Sequence, residues 1–505
     1  MSKPESLILL INSMSKSEKR IYSLNKKDTD YSFLFELINN NKDITSEKLQ
    51  ALFQEKLPKT NFNQTVTYLY KVLLDILLNL KANNDISIYL SSEMGKAQVL
   101  FDKSMYEEAL SILHQVKLKA RKAEEEFIFL TASRLELKYL HTLNFPETSE
   151  NDLLHRHLQI NESLKIIRRI NEQSVLHELM THRMLYLESM RSTKQVEGLN
   201  DLIISEMSIM TTSNIETFEI KKLHQLFQSA YLIYVGDYKS ALRSYYALNE
   251  LFEKNTSFWA NPPIYYTAVL EGILESLRSV GQYDSMKYFI DKLKSLKEYP
   301  FKDFQLHLSY LIAIYELFPL LDKGYFKEAN LQIKNNWSEI FEKEHLFSPH
   351  IRSGILLYTA LVHFGQEQYH EALQKLNQVL FLSKKITFVP LYRTIRLVKL
   401  MTLFELDELE EYEFEVRSFK RSISKTTKAY RLENVMLQFF NKGKSMMKNR
   451  EKEWPKLQPQ LEDISNDIYE KQILKLFNFT AWIEAKMTKR LLAIVIREHS
   501  ELATK

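Results

Sequence analysis

The chain has 505 residues, 68 Lys+Arg against 64 Asp+Glu for a net charge of +4, and no cysteine. So small a positive balance does not suit a protein that wraps nucleic acid along its length. The lack of thiols excludes disulfides, thiolate zinc sites, cysteine-ligated iron–sulfur clusters and cysteine nucleophiles. With 9 glycines and 11 prolines, against a usual glycine share of about 7%, the chain is expected to be nearly all helix with short turns. Tight hairpins and phosphate-cradling loops both consume glycine. The first apolar run, Leu7 to Ile11, follows Glu5 and is too short for a signal peptide. No run approaches the roughly 18 apolar residues of a membrane span. The expectation is a cytoplasmic protein without a membrane segment.

Residues 1–85 read as a unit of their own. Ser15 to Glu18 fits a capping box that starts a short helix. Tyr31 to Asn39 is apolar at helical spacing, Thr45 caps a helix reaching Phe53, and Pro58 ends it. Asn61 to Leu80 is a long amphipathic helix with Val66, Leu69, Leu73, Ile76 and Leu77 on one stripe. Lys16, Lys19, Arg20, Lys26 and Lys27 make the beginning basic, and short helix, turn, long helix is an order a helix-turn-helix would have. Three readings stay open here: a helical cap, a docking region for protein, or a DNA-binding head. The long helix presents Asn, Gln, Thr and Tyr outward with only Lys71 basic, which ranks DNA last.

From about residue 90 a two-helix pattern recurs. In Leu356–Leu382 one helix places Leu357, Ala360, Leu361 and Phe364 on a stripe. After Gly365-Gln366-Glu367-Gln368 a second does so with Tyr369, Ala372, Leu373, Leu376 and Val379. Ala97, Tyr106, Ala109, Leu113 and Val116 match offset for offset. So do copies around Gly236-Asp237-Tyr238, Tyr283, Phe326 and, worn, Leu409. The small residue near the start of the second helix (Ala241, Met286, Ala329, Ala372, Tyr412) recurs at intervals of about 40–45 residues. Counted backwards, one unclear repeat falls at about 130–172, interrupted by the loop Asn144–Asn151, and Gly198 anchors the next.

A small residue closing the first helix and Tyr-x-x-Ala opening the second (Ala360, Tyr369, Ala372, with Leu376) resemble a tetratricopeptide repeat. The period exceeds that family's 34 residues or so, and the Trp of the first helix and Pro after the second are mostly missing. The pattern is similar to the long-repeat relatives among bacterial regulators. The resemblance implies an all-α, right-handed α-solenoid, a superhelix of about seven long antiparallel helix pairs over residues 90–425. Helical caps at both ends, 1–85 and 426–505, would close it. Within the last stretch, Lys428–Met447 and Leu461–Met487 read as helices and Asn449–Pro459, with two prolines, as a connector.

The resemblance also implies that a partner, a protein or peptide of unknown identity, lies along the inner face of each first helix. Carried over by position, that face includes Met94, Gln98 and Phe101; Leu226, Ala230 and Ile233; Glu271, Glu275 and Arg278; Ile314, Phe318 and Leu321; Leu357, Leu361 and Phe364; and Leu397, Met401 and Phe404. Most are apolar, so the face either packs on the chain itself or receives an apolar partner. The polar exceptions Gln98, Glu271, Glu275 and Arg278 are the candidate partner-binding residues.

Three motifs fall short of chemistry. His177 and His182 flank Glu178 in a sequence like His-Glu-x-x-His with one residue too many, which turns the second imidazole about 140° away on a helix. His155 and His157 point apart for the same geometric reason. Gly443-Lys444-Ser445 lacks the earlier glycine of a phosphate loop, since Gln438 stands there. No catalytic set, metal site or cofactor is expected. The reading is a non-catalytic scaffold or regulator. A signal-responsive transcriptional regulator whose N-terminal helices bind DNA or a transcription protein is the first alternative, and an RNA-binding helical repeat the second.

Overall fold

The computed structural model describes residues 2–24, 29–41, 44–83, 85–186, 197–211, 217–381, 391–424 and 430–503. Among the described residues every regular element is helical and no strand occurs. The all-α, helical-repeat expectation is met. The chain divides into two compact units, one of Met1–Arg168 with Ser257–Ile264 and Glu298–Gln305, the other of Arg169–Thr256, Tyr265–Lys297 and Leu306–Lys505.

The first unit starts with α1 (Lys3–Ser13), α2 (Lys16–Leu24), α3 (Asp30–Asn40), α4 (Ser46–Lys56) and α5 (Phe62–Ala82). They close over a core that includes Leu7, Ile11, Leu34, Ile38, Leu49, Phe53, Val66, Leu69 and Leu73. The predicted caps are in place. The Ser15 amide donates to the Glu18 carboxylate at 2.6 Å and the Glu18 amide to Ser15 Oγ at 3.2 Å. Thr45 accepts from the Lys48 amide; Asn61, read from the sequence as the first residue of the long helix, is its cap and accepts from the Gln64 amide, so each satisfies an amide that its helix leaves unpaired.

Next come α6 (Ile86–Asp102), α7 (Tyr106–Lys122) and α8 (Glu126–Thr142). Ala97 and Ala109 are wholly buried where α6 and α7 pair. Glu136 is held between Lys117 at 2.5 Å and Arg156 at 2.7 Å. Burial alone would raise its pKa, but the hydrogen bonds and charges of the two cations prevail and lower it.

The repeat count places one copy at about 130–172 and another beyond it. The structure instead runs straight through as α9 (Glu150–Tyr186), 37 residues. That stretch contains neither glycine nor proline, so nothing ends the helix between the two copies. Gly198, expected inside a second helix, stands in the turn before α10 (Asn200–Thr211).

The second unit carries five successive helix pairs: α11 (Phe218–Tyr234) with α12 (Tyr238–Lys254), α13 (Ile264–Ser279) with α14 (Tyr283–Ser295), α15 (Lys302–Asp322) with α16 (Phe326–Asn335), α17 (Pro349–Gly365) with α18 (Tyr369–Phe381), and α19 (Leu391–Leu406) with α20 (Leu409–Ser424). The predicted Tyr or Phe opens four of the second helices. The turn before them is one device repeated. Gly236, Gly281, Gly324, Glu367 and Asp407 all have φ between 60° and 83°, two residues ahead of the next helix. The amide after the left-handed residue bonds back five positions, as in Asp237 to Leu232 at 2.9 Å, Gln282 to Leu277 at 2.9 Å, Tyr325 to Leu320 at 2.8 Å and Gln368 to His363 at 2.9 Å. This satisfies carbonyls that a helix end orphans. Ser104 and Glu124 do the same in the first unit. Gly365, which the sequence places in the turn, is the last residue of α17. A Cβ there would lie 2.2 Å from the Phe326 ring, so its hydrogen is what the packing uses.

The C-terminal stretch holds α21 (Arg431–Lys448), α22 (Arg450–Asn466), α23 (Lys471–Leu474), α24 (Phe479–Thr488) and α25 (Leu492–Ala503). The connector expected at 449–459 is a correction: α22 runs through Pro455 and Pro459. Leu457, Leu461 and Ile464 make one buried stripe while both prolines face out, so burial outweighs the two lost backbone bonds. Among the described residues one helix, α15, has the length and composition of a membrane span, with mean hydropathy 1.3, although 61% of that window is buried inside the molecule.

The turn device predicts opposite outcomes at equivalent positions. Glu367→Gly relieves a left-handed backbone that a side chain tolerates poorly and should stabilise by about 0.5–1 kcal/mol. Gly324→Ala adds that strain and a Cβ only 2.7 Å from the Ala493 carbonyl oxygen, and should destabilise by about 2 kcal/mol. Urea unfolding of both variants checks the pair of signs.

Candidate functional site

Three of the four predicted partner residues lie one above another on α13. Glu271, Glu275 and Arg278 follow the i, i+4, i+7 spacing of a single helical face. Glu271 and Glu275 line a cavity of about 380 Å³ in the second unit. Around them stand Ile233 of α11, Tyr245 of α12, Tyr310, Ile314, Tyr315 and Phe318 of α15, and His350 and Tyr358 of α17. Ile233, Ile314 and Phe318 belong to the same first-helix face that the resemblance marked, so four helix pairs contribute to one opening. Gly272 makes room for it. A Cβ there would sit 2.2 Å from the Tyr245 ring, so only glycine lets that ring lie against α13.

Each polar group in the cavity has a distinct environment. The Glu271 carboxylate makes no hydrogen bond or ion pair with any described residue, and burial pushes its pKa up to about 7. Its backbone carbonyl accepts the Tyr315 hydroxyl at 3.4 Å. Burial lifts the Tyr245 hydroxyl to about 12 and those of Tyr310 and Tyr315 further, so all three are neutral near pH 7. Burial also lowers the pKa of His350.

Glu275 is occupied. The Lys475 ammonium meets its carboxylate and lies 4.7 Å over the Tyr238 ring. Burial draws the Lys475 pKa down to about 7, and the Glu275 carboxylate is the acidic group it meets.

Arg278 is spent inside the chain as well. Its guanidinium makes a two-pronged contact with Asp322 at 2.8 and 2.9 Å, donates to the Lys475 carbonyl at 2.8 Å and stacks on Phe318 at 3.6 Å. Burial would lower its pKa, but the Asp322 charge and hydrogen bonds outweigh that and raise it. Gln98, the fourth candidate, is exposed on α6 in the other unit.

Lys475 belongs to a C-terminal segment that sequence reading did not bring here. Tyr469 joins the core of Phe227 and Tyr234, and Gln472 donates to the Tyr234 carbonyl at 3.3 Å. Phe477 meets Phe364 edge-on at 6.1 Å, Trp482 donates to Glu405 at 2.8 Å, and Arg497 lies 4.7 Å over Tyr325. The segment thus touches all five helix pairs of the unit. The apolar first-helix faces have a cover supplied by the chain itself.

Tyr310 was within reach of sequence reading, since it stands one turn before Ile314 on the same stripe. Tyr245, His350 and Tyr358 lie off the marked positions and carry no local signal. Elsewhere, His177 is partly buried and His182 exposed on α9, and Gly443-Lys444-Ser445 lies inside α21, with Lys444 paired to Asp407.

These features define a helical-repeat protein with a polar opening among otherwise apolar helix faces. No family model and no curated relative matches the sequence. Among solved structures the chain is similar to one described as the apo form of RapI, at 13% identity and a TM-score of 0.40, covering 82% of this chain and 97% of that one.

Two variants test this geometry. Glu271 has a folded pKa above the ordinary 4.5, so its contribution is most favourable below about pH 4.5 and is lost as pH rises through about 7. Allowing for the cavity's partial exposure, Glu271→Gln should stabilise by about 2 kcal/mol at pH 8 and hardly at all at pH 4.5. Melting curves at both pH values check the sign. Arg278→Met strands Asp322 and the Lys475 carbonyl and should cost about 3 kcal/mol. It should also speed proteolysis between 467 and 490, followed by mass spectrometry of the fragments.

Proposed function

We propose that the chain is a non-catalytic, tetratricopeptide-like regulator or scaffold of the cytoplasm that takes a peptide or protein segment into the cavity beside Glu271. The observation that supports this reading is the convergence of first-helix positions from successive helix pairs (Ile233, Glu271 and Glu275, Ile314 and Phe318) on one opening. Repeat arrays offer extended surface rather than a single deep cleft, and a cavity of this size sits in the range of about 300–1,000 Å³ that holds ligand groups. Mixed apolar and polar lining suits a peptide, whose stem packs on Ile233, Leu311 and Ile314 while polar ends meet the tyrosines and carboxylates.

The experiment is a photo-crosslinking residue placed at Ile233 in the full chain, with adducts identified by mass spectrometry. The expected result is a defined peptide or protein adduct that disappears when Ala268→Trp fills the cavity. Adducts that persist unchanged in the filled variant, or none at all, would contradict the reading.

A further inference from the structure

We infer that the cavity binds a cationic group, an ammonium or guanidinium, on the Glu271 carboxylate within the ring of Tyr245, Tyr310, Tyr315 and Tyr358. The inference rests on the reading of this cavity as the partner site and names the chemistry of what enters it.

The first support is the state of Glu271. Its carboxylate faces the cavity and none of the described residues offers it a hydrogen bond or a counter-charge. A carboxylate withdrawn from water without a partner is costly, and the upward shift of its pKa to about 7 reflects that cost. Arg278 cannot serve it, because its guanidinium is already committed to Asp322, the Lys475 carbonyl and the face of Phe318. The second support is the wall. Tyrosine faces attract cations through their quadrupole, and Ile233, Leu311 and Ile314 provide apolar surface for an aliphatic stem whose charge lies at its tip. An anionic ligand would meet the uncompensated Glu271 carboxylate, and an apolar one would leave it unpaired.

The third support comes from the same helix. One turn along α13, Glu275 stands in the same kind of setting and is met by an ammonium, that of Lys475, which also lies over Tyr238. The chain thus builds the complete arrangement of carboxylate, ammonium and tyrosine face at Glu275, and only its receptor half at Glu271. The cation for Glu271 has to come from outside the described chain, on a peptide side chain or as a free amine.

The test uses immobilised full-length protein and two hexapeptide libraries, one with lysine and one with norleucine at a fixed central position. n-Butylammonium is followed separately by saturation-transfer NMR. The wild type should retain the lysine library at least about tenfold over the norleucine library. Glu271→Gln and the cavity-filling Ala268→Leu should lose that preference while melting no lower than the wild type at pH 8. Equal retention of both libraries would overturn the cationic inference and leave the cavity reading standing. So would a lysine preference that survives Glu271→Gln. Butylammonium binding lost in Glu271→Gln, with neither library retained, would support the cation site and name a free amine as its ligand, against the peptide reading. Binding of no probe would overturn both.

Discussion

The second unit is governed by a solvation constraint: several of its first helices are buried on nearly every side. α17 is the clearest case, with Ser353 to Val362 buried without a break and Phe364 after them, and α19 is nearly the same from Thr394 to Leu403. Each such leucine-sized side chain contributes about 1.5–3 kcal/mol when removed from water, so a helix of this kind cannot leave one side wet. Its own hairpin partner and the neighbouring pairs cover part of it. The remainder is covered by residues 467–499, which run past the ends and faces of five helix pairs and are anchored by a few polar contacts of high quality. The contact of Arg278 with Asp322 and the Lys475 carbonyl is one of these. Desolvating a guanidinium is worthwhile only where nearly all its donors are used, and here the anchor joins α13, α15 and the C-terminal segment at one point.

The cavity follows from where this cover is incomplete. Along α13 the first-helix face turns polar, and the C-terminal segment supplies one cation, to Glu275, and none to Glu271. A half-buried, unpaired carboxyl with a raised pKa in an opening is a feature that folding alone would remove, since an apolar residue of similar size would be more stable there. Perturbed groups of this kind concentrate where proteins bind or react. The neighbouring Glu275–Lys475 contact shows the same carboxylate environment in its satisfied form, which makes the contrast between adjacent turns chemical rather than positional.

Much of the architecture was legible from the residues. Helical stripes, the capping residues Ser15 and Thr45, and the aromatic that opens four of the five second helices are local signals, because each depends on neighbours within four positions. The first-helix face on α13 was legible too, since Glu271, Glu275 and Arg278 break an apolar pattern at helical spacing. What escaped reading was either cancelled locally or decided at long range. Pro455 and Pro459 masked the stripe of Leu457, Leu461 and Ile464, and α9 continued where the period alone implied a break. Lys475 lies some 200 positions from its partners Glu275 and Arg278, and nothing in its own neighbourhood distinguishes it from a solvated lysine. The glycines divided in the same way. Gly236 and Gly324 announce turns, but Gly272 and Gly365 exist for aromatic rings contributed by other helices, and only tertiary packing reveals that.

The central claim is that residues 467–499 are part of the core of the second unit rather than a tail beside it. Hydrogen–deuterium exchange of the intact protein tests it most directly. Amides within Ile473–Met487 should exchange as slowly as those of α13 and α17, because all three open only when the unit unfolds. Exchange of Ile473–Met487 within seconds, while α13 and α17 remain protected for hours, would show that those helices find their cover without it and would contradict the account.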